Sequence, residues 1–150
     1  MRITTLLAAA AIATGLSGAA RAEVDWPSVE RALGVSGTAQ PGGIYRFGLP
    51  RTDLHVTVDG VAIRPAFALG GWLAFRDMGR QAMVMGDLVL TGEEIAPVMQ
   101  RLAAGGIEIT ALHSHMLSEQ PRLFFMHFWA NDDAGKLARS LKAALNKVKH

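Results

Sequence analysis

Histidine is the side chain that most readily does chemistry near neutral pH, as a proton carrier or as a nitrogen ligand. Three of the five histidines of this chain fall within residues 107–129, which read I-E-I-T-A-L-H-S-H-M-L-S-E-Q-P-R-L-F-F-M-H-F-W. His113 and His115 are two residues apart, so on a strand they share a face. At that spacing they can share a metal ion, with zinc the first expectation and copper the second from ligand type. The third ligand is expected from His127. It reaches the same face only if the two segments pair with residue numbers that add to an even sum, and an odd sum turns it away. The turn at residues 116–121 does not fix that sum. Three imidazoles with an open fourth position make a catalytic type of site, in which the metal polarises a carbonyl or acidifies bound water. Glu119, in the adjoining loop, is the candidate base.

A second reading of the same residues is structural. Strict alternation puts Ile107, Ile109, Ala111, His113 and His115 on one apolar face, where a buried ring needs only a hydrogen-bond partner. Around the histidines, Arg122 is a candidate for holding an anionic ligand, or else the end of a strand. Asp53 is a candidate ligand-binding or orienting carboxylate, or else a turn residue. His55 falls opposite Leu54, Val56 and Val58 and is expected in water. Met83, Met85, Met116 and Met126 suit copper(I) as thioethers, although methionine on apolar strands commonly fills a core. Asp87 shares a face with Met83 and Met85, as a hydrogen-bonded carboxylate, a ligand or a bulge residue. The chain has no cysteine, which excludes thiolate metal sites, disulfides, cysteine nucleophiles and a lipobox anchor. No phosphate-binding glycine loop, nucleophile elbow, dinucleotide fingerprint or H-E-x-x-H helix is present.

The elements that must position these residues are expected as follows. Asp25-Trp26-Pro27 opens a short helix that Gly34 closes, and residues 36–43 are read as loop. Ile44 to Leu49 is a strand with Tyr45, Phe47 and Leu49 inward. Leu54 to Val58 and Val61 to Ile63 form a hairpin about Asp59-Gly60. Phe67 to Phe75 is a strand bent at Gly70-Gly71, and Ala82 to Leu90 is another. Thr91-Gly92-Glu93-Glu94 is a capping box for a helix to about Ala104, with Ile95, Val98, Met99 and Leu102 inward and Pro97 in its first turn or at a kink. Asn131-Asp132-Asp133 starts the last helix, whose Leu137, Leu141 and Leu145 recur every fourth residue. The fold expected is α+β: an antiparallel sheet of about six strands covered on one face by two or three helices.

Residues 1–22 carry Arg2, an apolar run from Ile3 to Leu16 and Ala20-Arg21-Ala22, the pattern of a cleaved signal peptide. The remaining residues, 23–150, are expected as one exported domain, periplasmic or extracellular, without a transmembrane segment. Arg2 and Arg21 leave with the signal, so the 15 basic residues fall to 13, matching the 13 acidic ones. A chain of zero formal charge gives no ground for nucleic-acid binding.

The runs G-D-L-V-L-T-G-E-E-I-A-P-V-M from Gly86, G-G-I-E-I-T-A-L-H-S-H-M-L from Gly105 and P-R-L-F-F-M-H-F from Pro121, with P-R-T-D-L-H-V-T-V-D-G-V from Pro50, resemble the LppY/LpqO family of secreted bacterial proteins. Ser114 stands between the histidines where the family pattern has asparagine. The resemblance implies an exported bacterial protein built on a domain of unknown function and implies no activity. Some relatives carry the domain twice, so self-association is a further expectation. Three functions are compatible with these residues: a divalent metal site of hydrolytic or Lewis-acid type, a metal-free domain for a small periplasmic ligand, and an envelope interaction protein.

Overall fold

The computed structural model describes residues 23–148, so the expected signal peptide lies outside the described residues. In chain order it has α1 (Trp26–Leu33), β1 (Gly37–Gln40), β2 (Ile44–Pro50), β3 (Val56–Val58), β4 (Val61–Ile63), α2 (Pro65–Ala68), β5 (Gly70–Asp77), β6 (Ala82–Thr91), α3 (Gly92–Ala104), β7 (Glu108–His113), β8 (Glu119–Gln120), β9 (Leu123–Asp132) and α4 (Ala134–Leu145). Six strands form an antiparallel sheet in the order β1-β2-β5-β6-β9-β7, and β4-β3-β8 form a second, small sheet. The α+β architecture is the one expected. Two details differ. Residues 37–40, read as loop, form edge strand β1, because β2 offers an unpaired ladder that these residues complete. The bend before β5 is a short helix, with Pro65 fixing its first turn, and the strand starts only at Gly70.

Local chemistry explains the helix ends. The Asp25 side chain accepts from the Ser28 N–H, and Gly34 closes α1 in the left-handed conformation that glycine adopts without steric cost. The capping box of α3 forms, with the Thr91 N–H donating to Glu94 Oε2 at 2.8 Å. Pro97 sits inside α3, past its first turn.

One face of the large sheet is the core. Phe47, Leu73, Phe75, Val84, Leu90 and Phe128 project from it against Leu33 of α1, Val98 and Leu102 of α3, and Leu137 and Leu141 of α4, all fully or nearly fully buried. Each such side chain contributes about 1.5–3 kcal/mol. Among the described residues the other face is covered only at one end, where Val89, Leu123 and Phe125 pack with Val56 of the small sheet and Leu69. The rest of that face is open, and it carries Met85 and Trp129, 45% and 38% exposed.

Arg51, 4% exposed, ties these parts together. Its guanidinium donates to both carboxylate oxygens of Asp53 at 2.8 and 2.9 Å, to both of Glu94 at 2.9 and 3.2 Å, and to the Val89 carbonyl at 2.7 Å. Glu94, 1% exposed, thus holds the cap of α3 with one carboxylate and the end of β2 through Arg51. Replacing Arg51 by Met strands a buried charge. The expected cost is about 3–5 kcal/mol, measured as a lower urea midpoint with an unchanged slope, and Arg51→Met combined with Glu94→Gln recovers part of it.

Candidate functional site

The histidines reach a common place because of one extra residue. At its start β7 pairs with β9 as Ile109 with Phe128, an odd sum; from Ala111 with His127 through His113 with Phe125 the sum is even. The shift lies between Ile109 and Ala111, so Thr110 is a bulge residue with no partner across the ladder. Alternation is broken there. Ile107 and Ile109 face the helix-covered core, whereas Ala111 and His113 face the open side together with His127. The expectation that all five residues from Ile107 to His115 share one apolar face is therefore corrected, and the even register that brings His127 beside His113 is found.

His113 Nε2 and His127 Nε2 stand 2.8 Å apart, with ring centroids at 5.0 Å. Two imidazole lone pairs do not face each other bare at that distance. An N–H···N hydrogen bond, with one ring in the Nε2–H tautomer, is one solution and a metal cation another. The other side of His127 faces β6. Asp87 pairs across the ladder with His127, and its Oδ1 is 3.9 Å from His127 Nδ1, beyond hydrogen-bond reach. Asp87 is 8% exposed, and this Oδ1 is buried with no hydrogen-bond partner. Burial pushes its carboxyl pKa up, against the opposing pull of His127, His115 and His113.

His115 joins by stacking. Its ring lies 3.5 Å from Phe125, centroid to centroid, and 5.1 Å from His113. Among the described residues no group of three or more His, Asp or Glu side chains stands ready as a metal cage. The three-histidine cage is thus a facing pair, His113 and His127, with His115 beside it and Asp87 behind it.

The other candidates do different work. Glu119, 1% exposed, accepts from the Leu123 N–H at 3.1 Å and the Ser114 hydroxyl at 3.3 Å, with Arg122 Nε at 3.7 Å. Burial opposes its ionisation, but the Leu123 N–H, Arg122 and Ser114 outweigh burial and its pKa is lowered. Its oxygen Oε1 holds the loop that carries His115. Arg122 also donates to the Leu117 carbonyl at 2.7 Å, and Asp53 is engaged by Arg51. Of the methionines considered for copper, Met126 is core and Met85 is exposed on the face of the histidine pair. His55 is exposed, as expected. Asp87 carries more of the site than spacing suggested, since only the pairing of β6 with β9 sets it beside His127. A lone acid in the apolar strand A-M-V-M-G-D-L-V-L was the available signal.

A family model described as Domain of Unknown Function (DUF1259) matches residues 27–147. No curated protein and no solved structure matches. Among the described residues no helix is long and apolar enough to cross a membrane.

The raised pKa of Asp87 has a definite sign in stability. Folding favours its protonated form, so that stabilisation is complete below the ordinary carboxylate value of 3.8 and is lost as pH rises through the raised folded value. Asp87→Asn is therefore expected to unfold at higher urea concentration than the parent at pH 7 in chelator, with the advantage vanishing below pH about 3.8. An equal midpoint at pH 7 would show that the buried carboxylate carries no penalty.

Proposed function

The chain belongs to the DUF1259 family of domains of unknown function, and since that membership assigns no activity, we propose from its site that it binds a divalent metal ion through His113 and His127. The observation that carries this reading is the 2.8 Å separation of the two Nε2 atoms beside a buried carboxylate oxygen that lacks a partner. With metal–nitrogen distances of about 2.0–2.1 Å, nitrogens this close subtend roughly a right angle at the ion, the cis arrangement of tetragonal copper(II). A tetrahedral zinc needs them about half an ångström further apart, a change that rotation of the exposed His113 supplies.

Asp87 lies on the Nδ1 side of His127. A carboxylate there favours the tautomer with the proton on Nδ1 and leaves Nε2 free for the ion, as the outer partners of metal-bound histidines commonly do. His115 supplies a further nitrogen by leaving its stack on Phe125. The remaining positions are open to water or substrate, and a hydrolytic or Lewis-acid reaction is the chemistry such an ion supports. Glu119 supports the loop under the site. The leader-like residues 1–22 and the runs from Gly86 and Gly105 further support an exported protein of LppY/LpqO type.

The alternative with a specific observation behind it is metal-free acid–base chemistry, since 2.8 Å is also the distance of a hydrogen bond through which one imidazole passes a proton to the other.

Titration of untagged, chelator-stripped protein with zinc and copper(II) separates the two readings. The metal reading expects one ion per chain, His113→Ala and His127→Ala each costing at least about 100-fold in affinity, Asp87→Asn about 10–100-fold, and His55→Ala no change. Absence of binding in the parent protein, with a melting temperature indifferent to added metal, would leave the hydrogen bond.

A further inference from the structure

A second region, away from the histidines, is built to hold something. A cavity of about 290 Å³ lies where the last residues of α1 and α4 meet the ends of β2 and β5, lined by Leu33, Leu49, Gly71, Leu88, Leu145 and Val148 among others. Its size is near the lower end of small-molecule sites, roughly 300–1,000 Å³. The backbone creates the space. Along β5 the inward positions Phe75 and Leu73 are filled and fully buried, but the next inward residue is Gly71. A Cβ there would stand 2.8 Å from the Asp87 carbonyl oxygen, so the close approach of β5 to β6 excludes a side chain at the position that would otherwise fill the core.

Among the described residues Lys142 and Arg51 are the charged side chains that line this cavity, and no carboxylate does. The Arg51 guanidinium is taken by Asp53 and Glu94. Lys142 is in no ion pair among the described residues. Its ammonium lies beside the end of α1, with Nζ 3.2 Å from where a Cβ on Gly34 would be. Attraction to the negative end of that helix accounts for where the ammonium sits, but not for the apolar space next to it. An apolar slot beside a cation that no carboxylate pairs among the described residues is complementary to an amphiphile of opposite charge.

We propose that the cavity between the ends of α1 and α4 binds a single-chain anionic amphiphile, a fatty carboxylate, with its tail against Leu33, Leu88 and Leu145 and its head on Lys142. The site is independent of the metal reading and lies on the helix-covered side of the sheet.

The test is thermal unfolding of the full mature chain, metal-free, with dodecanoate below its micellar concentration, and with acetate and dodecyltrimethylammonium as probes of head and tail alone. Dodecanoate at about ten times its dissociation constant is expected to raise the melting temperature by about 5 °C, and the other two are not. Lys142→Met is expected to weaken dodecanoate about tenfold. Val35→Trp, which places a large ring in the cavity from the loop after α1, is expected to fold and to abolish the response. The same rise with dodecyltrimethylammonium, or unchanged dodecanoate affinity in Lys142→Met, overturns the anionic head. A full response in Val35→Trp overturns the location, and no response of the parent protein to dodecanoate overturns the proposal.

Discussion

The two-residue period of a strand makes parity the constraint on which the candidate site depends. Every residue of β7 is assigned to the core or to the open face by its place in that period, and an inserted residue reverses the assignment for all that follows. Thr110 is that residue. Before it, Ile107 and Ile109 serve the core. After it, Ala111 and His113 stand beside His127, and two imidazole nitrogens meet at 2.8 Å. Without the bulge one face of β7 would have to be both a core surface and a polar site.

The strands on which this happens are well anchored. β6 and β9 pair over ten consecutive positions, from Ala82 with Asp132 to Thr91 with Leu123. They are packed on both sides where the small sheet covers Val89 and Phe125 and the helices cover Leu88, Leu90 and Met126. Gly86 lets this happen at close range: Phe128 occupies the space a side chain there would take, its ring 2.2 Å from where a Cβ would be. Asp87 follows at once, on the face it shares with His127 and 8% exposed. Arg51 then links the end of β2 to the first turn of α3, to Val89 of β6 and to Asp53, so the loop that leads to the small sheet, the helix and the large sheet share a single buried guanidinium.

Asp87 and Glu119 each carry one buried oxygen without a hydrogen-bond partner, Oδ1 and Oε2, and differ in what answers the charge. Glu119 is used by its own loop, through Leu123 and Ser114, and its lowered pKa reflects those bonds prevailing over burial. Burial raises the pKa of Asp87 against the pull of His127, His115 and His113. Such an imbalance is destabilising in the isolated chain, and the cation proposed on the histidine side would relieve it. Membership of the DUF1259 family is compatible with that chemistry and assigns none.

Much of the fold was legible in the residues. The ends of α1, the capping box of α3, the Asp59-Gly60 hairpin turn and the four-residue leucine repeat of α4 are local signals, and each acts through bonds within a few residues of itself. The class, an antiparallel sheet with helices on one face, followed from their order. What composition and spacing could not determine was which side of the sheet the histidines occupy. Thr110 looks like any strand residue until its partner strand is known, because a bulge exists only in the count of one strand against another. The approach of Asp87 to His127 likewise depends on β6 pairing with β9 across the intervening α3 and β7, a contact between residues 40 apart in the chain. Local patterning supplied most of the elements and the imidazoles, though not β1 or α2; that two of the rings face each other came from the pairing of β7 with β9, since register is a property of two strands and neither contains it alone.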